Sequence, residues 1–136
     1  MTKVFLTGAS GFIAKLILRE LLENGYEVRA SVRSEKRKAE LLSLFPEATL
    51  EFAFLDLDKD VGWAEALKGC DVLMHTASPF PLATPKDPQD LIRPAVDGTL
   101  RAMKAAQAAG IKRVILTSSC AAISKQADKP KMAPSD

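Results

Sequence analysis

Short runs of apolar residues alternate along the chain with longer segments in which apolar residues recur every three or four positions. A short run of this kind is typical of a strand buried on both faces, and the three-to-four spacing is typical of a helix with one buried face. Regular alternation of the two predicts an α/β fold wound around a parallel sheet. The predicted strands are 4–7, 27–32, 50–55, 71–75 and 111–117, and the predicted helices are 11–24, 35–44, a short one at 63–69, and 89–109.

Glycine and proline mark most of the predicted boundaries. Gly25 and Gly110 stand where a glycine commonly ends a helix, whereas Pro94 and Gly98 weaken the early part of the longest predicted helix. Segment 76–88 contains four prolines and is predicted to be an exposed loop. Segment 125–136 is polar and aperiodic, so we expect one domain over 1–124 followed by a loop or disordered tail.

Composition narrows the classes of protein to consider. The chain has 136 residues, 47% of them hydrophobic, and its 19 basic and 17 acidic residues are interleaved, which favours one globular domain and no nucleic-acid partner. No secretory signal or membrane-spanning run is visible. Cys70 and Cys120 are too few for a disulfide framework and lack metal-ligand spacing, so we expect no metal site and a cytoplasmic location. We expect Cys120 to be a buried thiol.

The segment 7–14, with the sequence Thr-Gly-Ala-Ser-Gly-Phe-Ile-Ala, lies between the first strand and the first helix. An open parallel sheet binds the diphosphate of a dinucleotide at that turn, on the free N–H groups at the helix N-terminus. Gly8 permits the turn, Gly11 permits close approach of the anion, and Ala14 permits packing of the helix on the sheet. The glycine spacing is one residue looser than G-x-G-x-x-G, and the alternative is an ordinary strand-helix turn. The predicted diphosphate-binding residues are Gly8, Ser10, Gly11, Phe12 and Ile13.

The end of the second strand indicates which nicotinamide cofactor fits. An acid there would accept from the ribose 2′-hydroxyl of NAD, but this chain has Ser31-Val32-Arg33. The planar cation of Arg33 suits a 2′-phosphate, and Arg37 or Lys38 could add a second charge. The sequence therefore favours NADP(H) over NAD(H), and the alternative is that 33–38 is only a solvated basic run.

Asp56 and Leu57 follow the third strand. A carboxylate there can accept a hydrogen bond from the adenine amino group while the leucine packs on the ring. The alternative is that Asp56 caps a turn. His75 is the only histidine and ends an apolar strand, so we expect a packed or hydrogen-bonded residue and not a base. We expect Trp63 and the phenylalanines in the core.

Five motifs together resemble the extended short-chain dehydrogenase/reductase family, in the branch of dihydroflavonol, cinnamoyl-CoA and methylglyoxal reductases. These are 7–14, Ser-Val-Arg at 31–33, Leu-Asp-Leu at 55–57, His-Thr-Ala-Ser-Pro-Phe at 75–80, and Arg-Val-Ile-Leu-Thr-Ser-Ser at 113–119. The resemblance implies a Rossmann-type doubly wound sheet in the order 3-2-1-4-5. It also implies that further cofactor contacts are made by Thr76, Ala77, Ser78 and Ser118, and that Pro79 and Phe80 begin a loop on the substrate side.

The resemblance gives Ser119 a catalytic role, which is to hydrogen-bond the substrate carbonyl as hydride arrives. The family pairs this serine with a tyrosine four residues before a lysine, and that pair is absent here, since Tyr26 is the only tyrosine. We therefore expect a fragment of a longer reductase, truncated before its catalytic helix and substrate domain. The alternative is a module that binds the cofactor without turnover.

The resulting hypothesis is an NADP(H)-dependent oxidoreductase that reduces a small-molecule aldehyde or ketone, present as its cofactor-binding part. We expect no membrane partner, and the resemblance allows a homodimer of the full-length form. Two alternatives stay open: an NAD-dependent sugar-nucleotide epimerase or dehydratase of the same superfamily, and a non-catalytic dinucleotide-binding module.

Overall fold

The computed structural model describes residues 2–79 and 83–120. Its centre is a five-stranded parallel sheet in the order β3-β2-β1-β4-β5. This confirms the predicted Rossmann-type α/β fold and its strand order. In chain order the elements are β1 Lys3–Thr7, α1 Phe12–Glu23, β2 Glu27–Val32, α2 Glu35–Leu44, β3 Leu50–Phe54, α3 Trp63–Leu67, β4 Val72–His75, α4 Gln89–Ala108 and β5 Arg113–Leu116.

The sheet is covered on both faces, which explains the continuous apolar runs of its central strands. Phe5 and Leu6 are adjacent in β1 and both fully buried, because successive side chains point to opposite faces. Phe5 packs with Leu73 and with residues of α3 and α4. Leu6 packs with Ala14 and with other residues of α1, β2 and α2. β1 is therefore the strand around which both layers are built.

Helix α1 buries a narrower face than its apolar residues suggest. Ala14 and Leu18 are buried against the sheet, as expected for Ala14, whereas Phe12 is 81% exposed. Phe54, the last residue of the edge strand β3, is also exposed. The expectation that the phenylalanines lie in the core is thus wrong for these two. Phe12 begins α1 and lies outside its packed face, and Phe54 stands at the rim of the sheet.

Helix α4 runs without a break through Pro94 and Gly98, so these residues do not shorten it. Gly98 is buried, and a β-carbon built on it would lie 3.4 Å from the side chain of Leu57. The small residue therefore lets α4 pack closely on the segment after β3. Farther along, Ala102, Ala105 and Ala106 continue the same buried face.

Strand β5 begins two residues later than predicted, since Ile111 N donates to Ala106 O and closes the end of α4. Cys120 is exposed, which corrects its expected burial, because it follows this exposed edge strand. Phe80, the expected tail 125–136 and the domain limit at 124 lie outside the described residues. In the part of the chain described, no helix combines the length and the apolar character needed to cross a membrane.

Candidate cofactor site

The turn between β1 and α1 depends on Gly8. Its φ of 61° lies in the left-handed region that favours glycine. A β-carbon on Gly8 would approach the Cα and Cβ atoms of Ala77 to 3.0 Å. Gly8 is therefore required both for its backbone conformation and for the close approach of this turn to the end of β4. The first requirement is the one predicted from sequence.

The backbone between Gly8 and Gly11 is held by hydrogen bonds to β2. Gly8 N donates to Ser31 Oγ at 3.0 Å, and Ala9 N donates to Ser31 O at 3.1 Å. Gly11 N donates to Gly8 O at 2.9 Å. These three amides are therefore occupied within the protein and do not face an anion.

Beyond this loop, further amides lie at the N-terminus of α1. The first helical hydrogen bond runs from Lys15 N to Gly11 O at 3.0 Å, and the N–H groups of Phe12, Ile13 and Ala14 precede it. Gly11 is the N-cap and provides no side-chain cap. These three donors, at the positive end of the helix dipole, are suited to an anionic oxygen. The exposed side chains of Phe12 and Ile13 play no part in this, because only their amides are used.

Thr7 joins the end of β1 to the end of β4. Its Oγ1 accepts hydrogen bonds from Thr76 N at 3.0 Å and Ala77 N at 3.1 Å, and lies 2.9 Å from His75 Nδ1. Thr76 Oγ1 donates in turn to Thr7 O. Thr7 and His75 are both buried. His75 is thus a hydrogen-bonded interior residue, as expected.

The cationic side of the site is formed by Arg33. Its side chain is 77% exposed and lies 4.0 Å from Asp56 Oδ2, a distance that leaves the guanidinium available for a further anion. Arg37 is engaged elsewhere, since its Nη1 donates to Glu40 Oε2 at 3.0 Å. Glu40 also binds Lys15 of α1, and these two contacts lower the pKa of its carboxyl group. Arg33 is therefore the more accessible of the two predicted cations.

The segment after β3 is fixed by side chains from α3 and α4. Asp56 Oδ1 accepts from Asp58 N at 2.9 Å, which confirms its role in a turn. Trp63 Nε1 donates to Asp56 O at 3.1 Å and to Lys59 O at 3.0 Å, and Arg101 Nη1 donates to Leu57 O. Trp63 is buried, as predicted, but it also orients the predicted adenine contacts.

These pieces enclose one cavity of about 320 Å³ at the carboxyl ends of the strands. Nine of the predicted site residues line it: Gly8, Ser10, Gly11, Arg33, Asp56, Leu57, Thr76, Ala77 and Ser78. Five predicted residues are not among its lining residues, namely Phe12, Ile13, Arg37, Ser118 and Ser119, and the two serines are exposed beyond β5. Sequence reasoning missed the contributions of Ser31, Asp58 and Trp63, which also line the cavity.

A larger cavity of about 810 Å³ lies at the opposite end of the sheet, beside Tyr26 and Phe45. Two charged groups of its lining, Lys3 and Glu51, are paired: Glu51 accepts from Lys3 Nζ at 2.8 Å, and it also accepts from Arg29 Nε at 2.7 Å. The same two contacts lower the pKa of Glu51. Because this cavity faces the amino ends of the parallel strands, it lacks the helix N-terminus that binds a diphosphate. We therefore assign the candidate site to the smaller cavity.

Ser31→Ala is expected to leave the Gly8 amide without its acceptor and to destabilise the chain by about 1–3 kcal/mol. Because this loop leads into the amides of α1 that we expect to contact the diphosphate, NADPH and NADH should lose affinity by a similar factor. Thermal or urea unfolding and two parallel titrations measure these effects. A change in the NADPH to NADH affinity ratio, with unfolding unaffected, would contradict this role of Ser31.

A model of the NAD dependent epimerase/dehydratase family matches residues 4–136, which is nearly the whole chain. The chain belongs to this family. Two plant proteins are similar to this chain in sequence. An anthocyanidin reductase of Vitis vinifera is 38% identical over 120 residues, covering 85% of the chain and 36% of the relative. Vestitone reductase of Medicago sativa is 37% identical over 128 residues, covering 90% of the chain and 39% of the relative.

Solved structures show the same fold as this epimerase/dehydratase family member. Yeast methylglyoxal/isovaleraldehyde reductase, complexed with NADPH, superimposes with a TM-score of 0.79 at 33% identity, over 90% of this chain and 38% of that one. The chain thus spans less than two fifths of the length of each of these three relatives. The resemblance to the extended short-chain dehydrogenase/reductase family and its flavonoid and methylglyoxal reductases is confirmed.

Proposed function

We propose that the chain is the NADP(H)-binding part of a reductase that acts on an aldehyde or ketone. One observation carries the proposal: Gly8, Ser10 and Gly11, in the turn that leads directly into the N-terminal amides of α1, line the same cavity as Arg33, whose guanidinium is exposed. The amides suit a diphosphate, and the guanidinium suits a 2′-phosphate. Asp56 and Leu57, at the same cavity, are positioned for an adenine ring.

The reaction class rests on the relatives. Those described above are reductases of anthocyanidin, vestitone and methylglyoxal or isovaleraldehyde. A bound nicotinamide would supply hydride, and the residues of this chain would hold the cofactor through Gly8–Ala14, Arg33 and Thr76–Ser78. Ser119 would donate a hydrogen bond to the substrate carbonyl oxygen as negative charge develops on it.

An NAD-dependent epimerase or dehydratase is the second candidate, because the family model carries that description. Such an enzyme would need a carboxylate where Arg33 stands, to accept from the ribose hydroxyl. Asp56 lies near that position but already accepts from Asp58 N and faces Arg33. The position of Arg33 therefore favours the NADP(H) proposal.

The test is a pair of fluorescence titrations of the chain with NADPH and with NADH. Trp63 is the only tryptophan and lines the candidate cavity, so its emission should change when the cavity fills. We expect NADPH to bind roughly tenfold or more tightly than NADH, the scale of a charge-assisted contact to the 2′-phosphate. Equal affinities would overturn the NADP(H) assignment, and an absence of binding by both would overturn the site.

Ser119→Ala is expected to lower turnover by roughly 10² in a protein in which the chain continues through a tyrosine-lysine pair, the scale of losing one donor to a developing oxyanion. The neighbouring Ser118→Ala is the matched control, with a smaller effect on turnover. Steady-state kinetics with a simple aldehyde would measure both. Unchanged turnover in the Ser119 variant would refute its catalytic role.

A further inference from the structure

The hydroxyl group of Thr7 can make only a limited number of hydrogen bonds. A threonine hydroxyl has one proton to donate and two lone pairs to accept with. The amides of Thr76 and Ala77 are donors and occupy both lone pairs. The proton of Thr7 must therefore point to the remaining neighbour, His75 Nδ1, at 2.9 Å.

These hydrogen bonds of Thr7 determine the protonation state and the tautomer of the His75 imidazole. Nδ1 can accept the Thr7 proton only if it carries none itself, so His75 is neutral with its proton on Nε2. Protonation of Nδ1 would place two donors face to face. Thr7 Oγ1 would then have to turn a lone pair towards the histidine and release one of the two amides.

The groups around His75 agree with a neutral imidazole. Its contacts on the neighbouring strands are uncharged: the hydroxyl of Thr7 at the end of β1, and Thr117 N after β5, which donates to His75 O at 3.0 Å. On the face shared with Leu73, which α3 and α4 cover, the described residues include no charged group that shifts the pKa of His75. Burial alone lowers the pKa of His75 below the 6.5 of an exposed imidazole.

We propose that His75 is a positioning residue of the cofactor site: its neutral ring orients the Thr7 hydroxyl, which holds the Thr76–Ala77 backbone against Gly8, and protonation of the ring loosens that backbone. The tight approach of Ala77 to Gly8, at 3.0 Å for a built β-carbon, makes the phosphate-binding turn sensitive to this movement. The effect on dinucleotide binding rests on the proposed function, whereas the hydrogen-bond network itself does not.

The direction of the pH effect follows from the lowered pKa. Because the folded chain binds this proton less readily than the unfolded chain, the contribution of His75 to stability is fully present above pH 6.5. It is lost as the pH falls from 6.5 through the folded-state pKa. Dinucleotide affinity should decline over the same interval, since the protonated form holds Thr76 and Ala77 less firmly.

The first experiment uses ¹⁵N NMR of the nucleotide-free chain. His75 is the only histidine, so a single pair of imidazole nitrogen signals reports its state. At pH 7.5 we expect a proton on Nε2 and none on Nδ1, and the amide signals of Thr76 and Ala77 should move with the imidazole signals as the pH is lowered until the ring is protonated. A proton on Nδ1 at pH 7.5, or amides that do not follow the ring, would overturn the network.

The second experiment titrates NADP⁺ into the chain and into His75→Asn at pH 7.5 and at the lower pH at which the imidazole signals show a protonated ring. The asparagine oxygen can accept the Thr7 proton in place of Nδ1 and does not titrate. The variant should bind like the parent at pH 7.5. At the lower pH the parent should bind roughly three- to tenfold more weakly than the variant, the scale of one net hydrogen bond. The 2′-phosphate of NADP⁺ titrates identically in the experiments with the parent and with the variant. The effect of His75 is therefore the difference in affinity between the two proteins.

Two further variants distinguish the hydrogen bonds of the Thr7 hydroxyl from the packing of the Thr7 side chain. Thr7→Ser keeps the donor and both lone pairs and should retain the pH dependence of the parent, whereas Thr7→Val removes them and should bind weakly at both pH values. Equal pH dependence in the parent and in His75→Asn would overturn the positioning role. Absence of NADP⁺ binding to the parent at pH 7.5 would overturn the proposed function and the positioning role with it, and the imidazole signals would still decide the network.

Discussion

Gly8→Ala is expected to destabilise the chain by about 2–6 kcal/mol and to remove dinucleotide binding. About 1–3 kcal/mol comes from placing a non-glycine residue at a φ of 61°. A similar amount comes from the overlap of the new β-carbon with Ala77 at 3.0 Å. The turn can relieve this overlap only by moving away from β4, which displaces the amides at the start of α1. Urea unfolding and an NADPH titration measure the two effects.

Gly25→Ala is the matched control for this substitution. Gly25 has a φ of 79°, but a β-carbon there has nothing within 4 Å. The variant should therefore show only the conformational cost of about 1–3 kcal/mol and should bind NADPH normally. If Gly25→Ala were as damaging to binding as Gly8→Ala, the close approach to Ala77 would not be the cause.

Arg33→Asp is expected to reverse the preference for NADPH, with a change in the NADPH to NADH affinity ratio of roughly 10²–10³. The substitution removes a charge-assisted contact to the 2′-phosphate and places a carboxylate beside Asp56 in its stead. That carboxylate repels the phosphate and can accept from the ribose hydroxyl of NADH. Parallel titrations of the variant and the parent give the ratio.

Arg37→Asp distinguishes this specific role from general electrostatics. Both substitutions change the net charge by the same amount, but Arg37 is paired with Glu40 and does not line the cavity. We expect its effect on the ratio to be well below that of Arg33→Asp. Similar effects from both would mean that the basic run 33–38 acts as a diffuse field and that Arg33 makes no directed contact.

The sequence predicts the fold well because the relevant signals are local. Helix α2 occupies its predicted span, and Gly25 and Gly110 end their helices with positive φ values, as their positions predict. The predicted strand order rests on the winding of parallel β-α-β units and on the family resemblance, and the two predict the same order. Phe12 shows the limit of periodicity, since it continues the apolar pattern of α1 but is exposed.

The site is predictable only in part, because several of its hydrogen bonds join residues that are far apart in the sequence. The turn at Gly8 is visible in the sequence, but its amide is bound by Ser31, 23 residues away. Thr7 binds the backbone of Ala77, 70 residues away. Nothing in the local pattern around Ser31 or Thr7 distinguishes these residues from ordinary polar positions near strand ends, so three-dimensional pairing is needed to find them.

The central claim is that the N-terminus of α1 binds the diphosphate of a dinucleotide. The most direct test follows the backbone amide signals of the ¹⁵N-labelled chain as NADP⁺ is added. We predict the largest shifts at Phe12, Ile13 and Ala14, which are free to donate, and smaller ones at Gly8 and Ala9, which already donate to Ser31. Shifts confined to the larger cavity beside Tyr26 and Phe45, with α1 unaffected, would contradict the account.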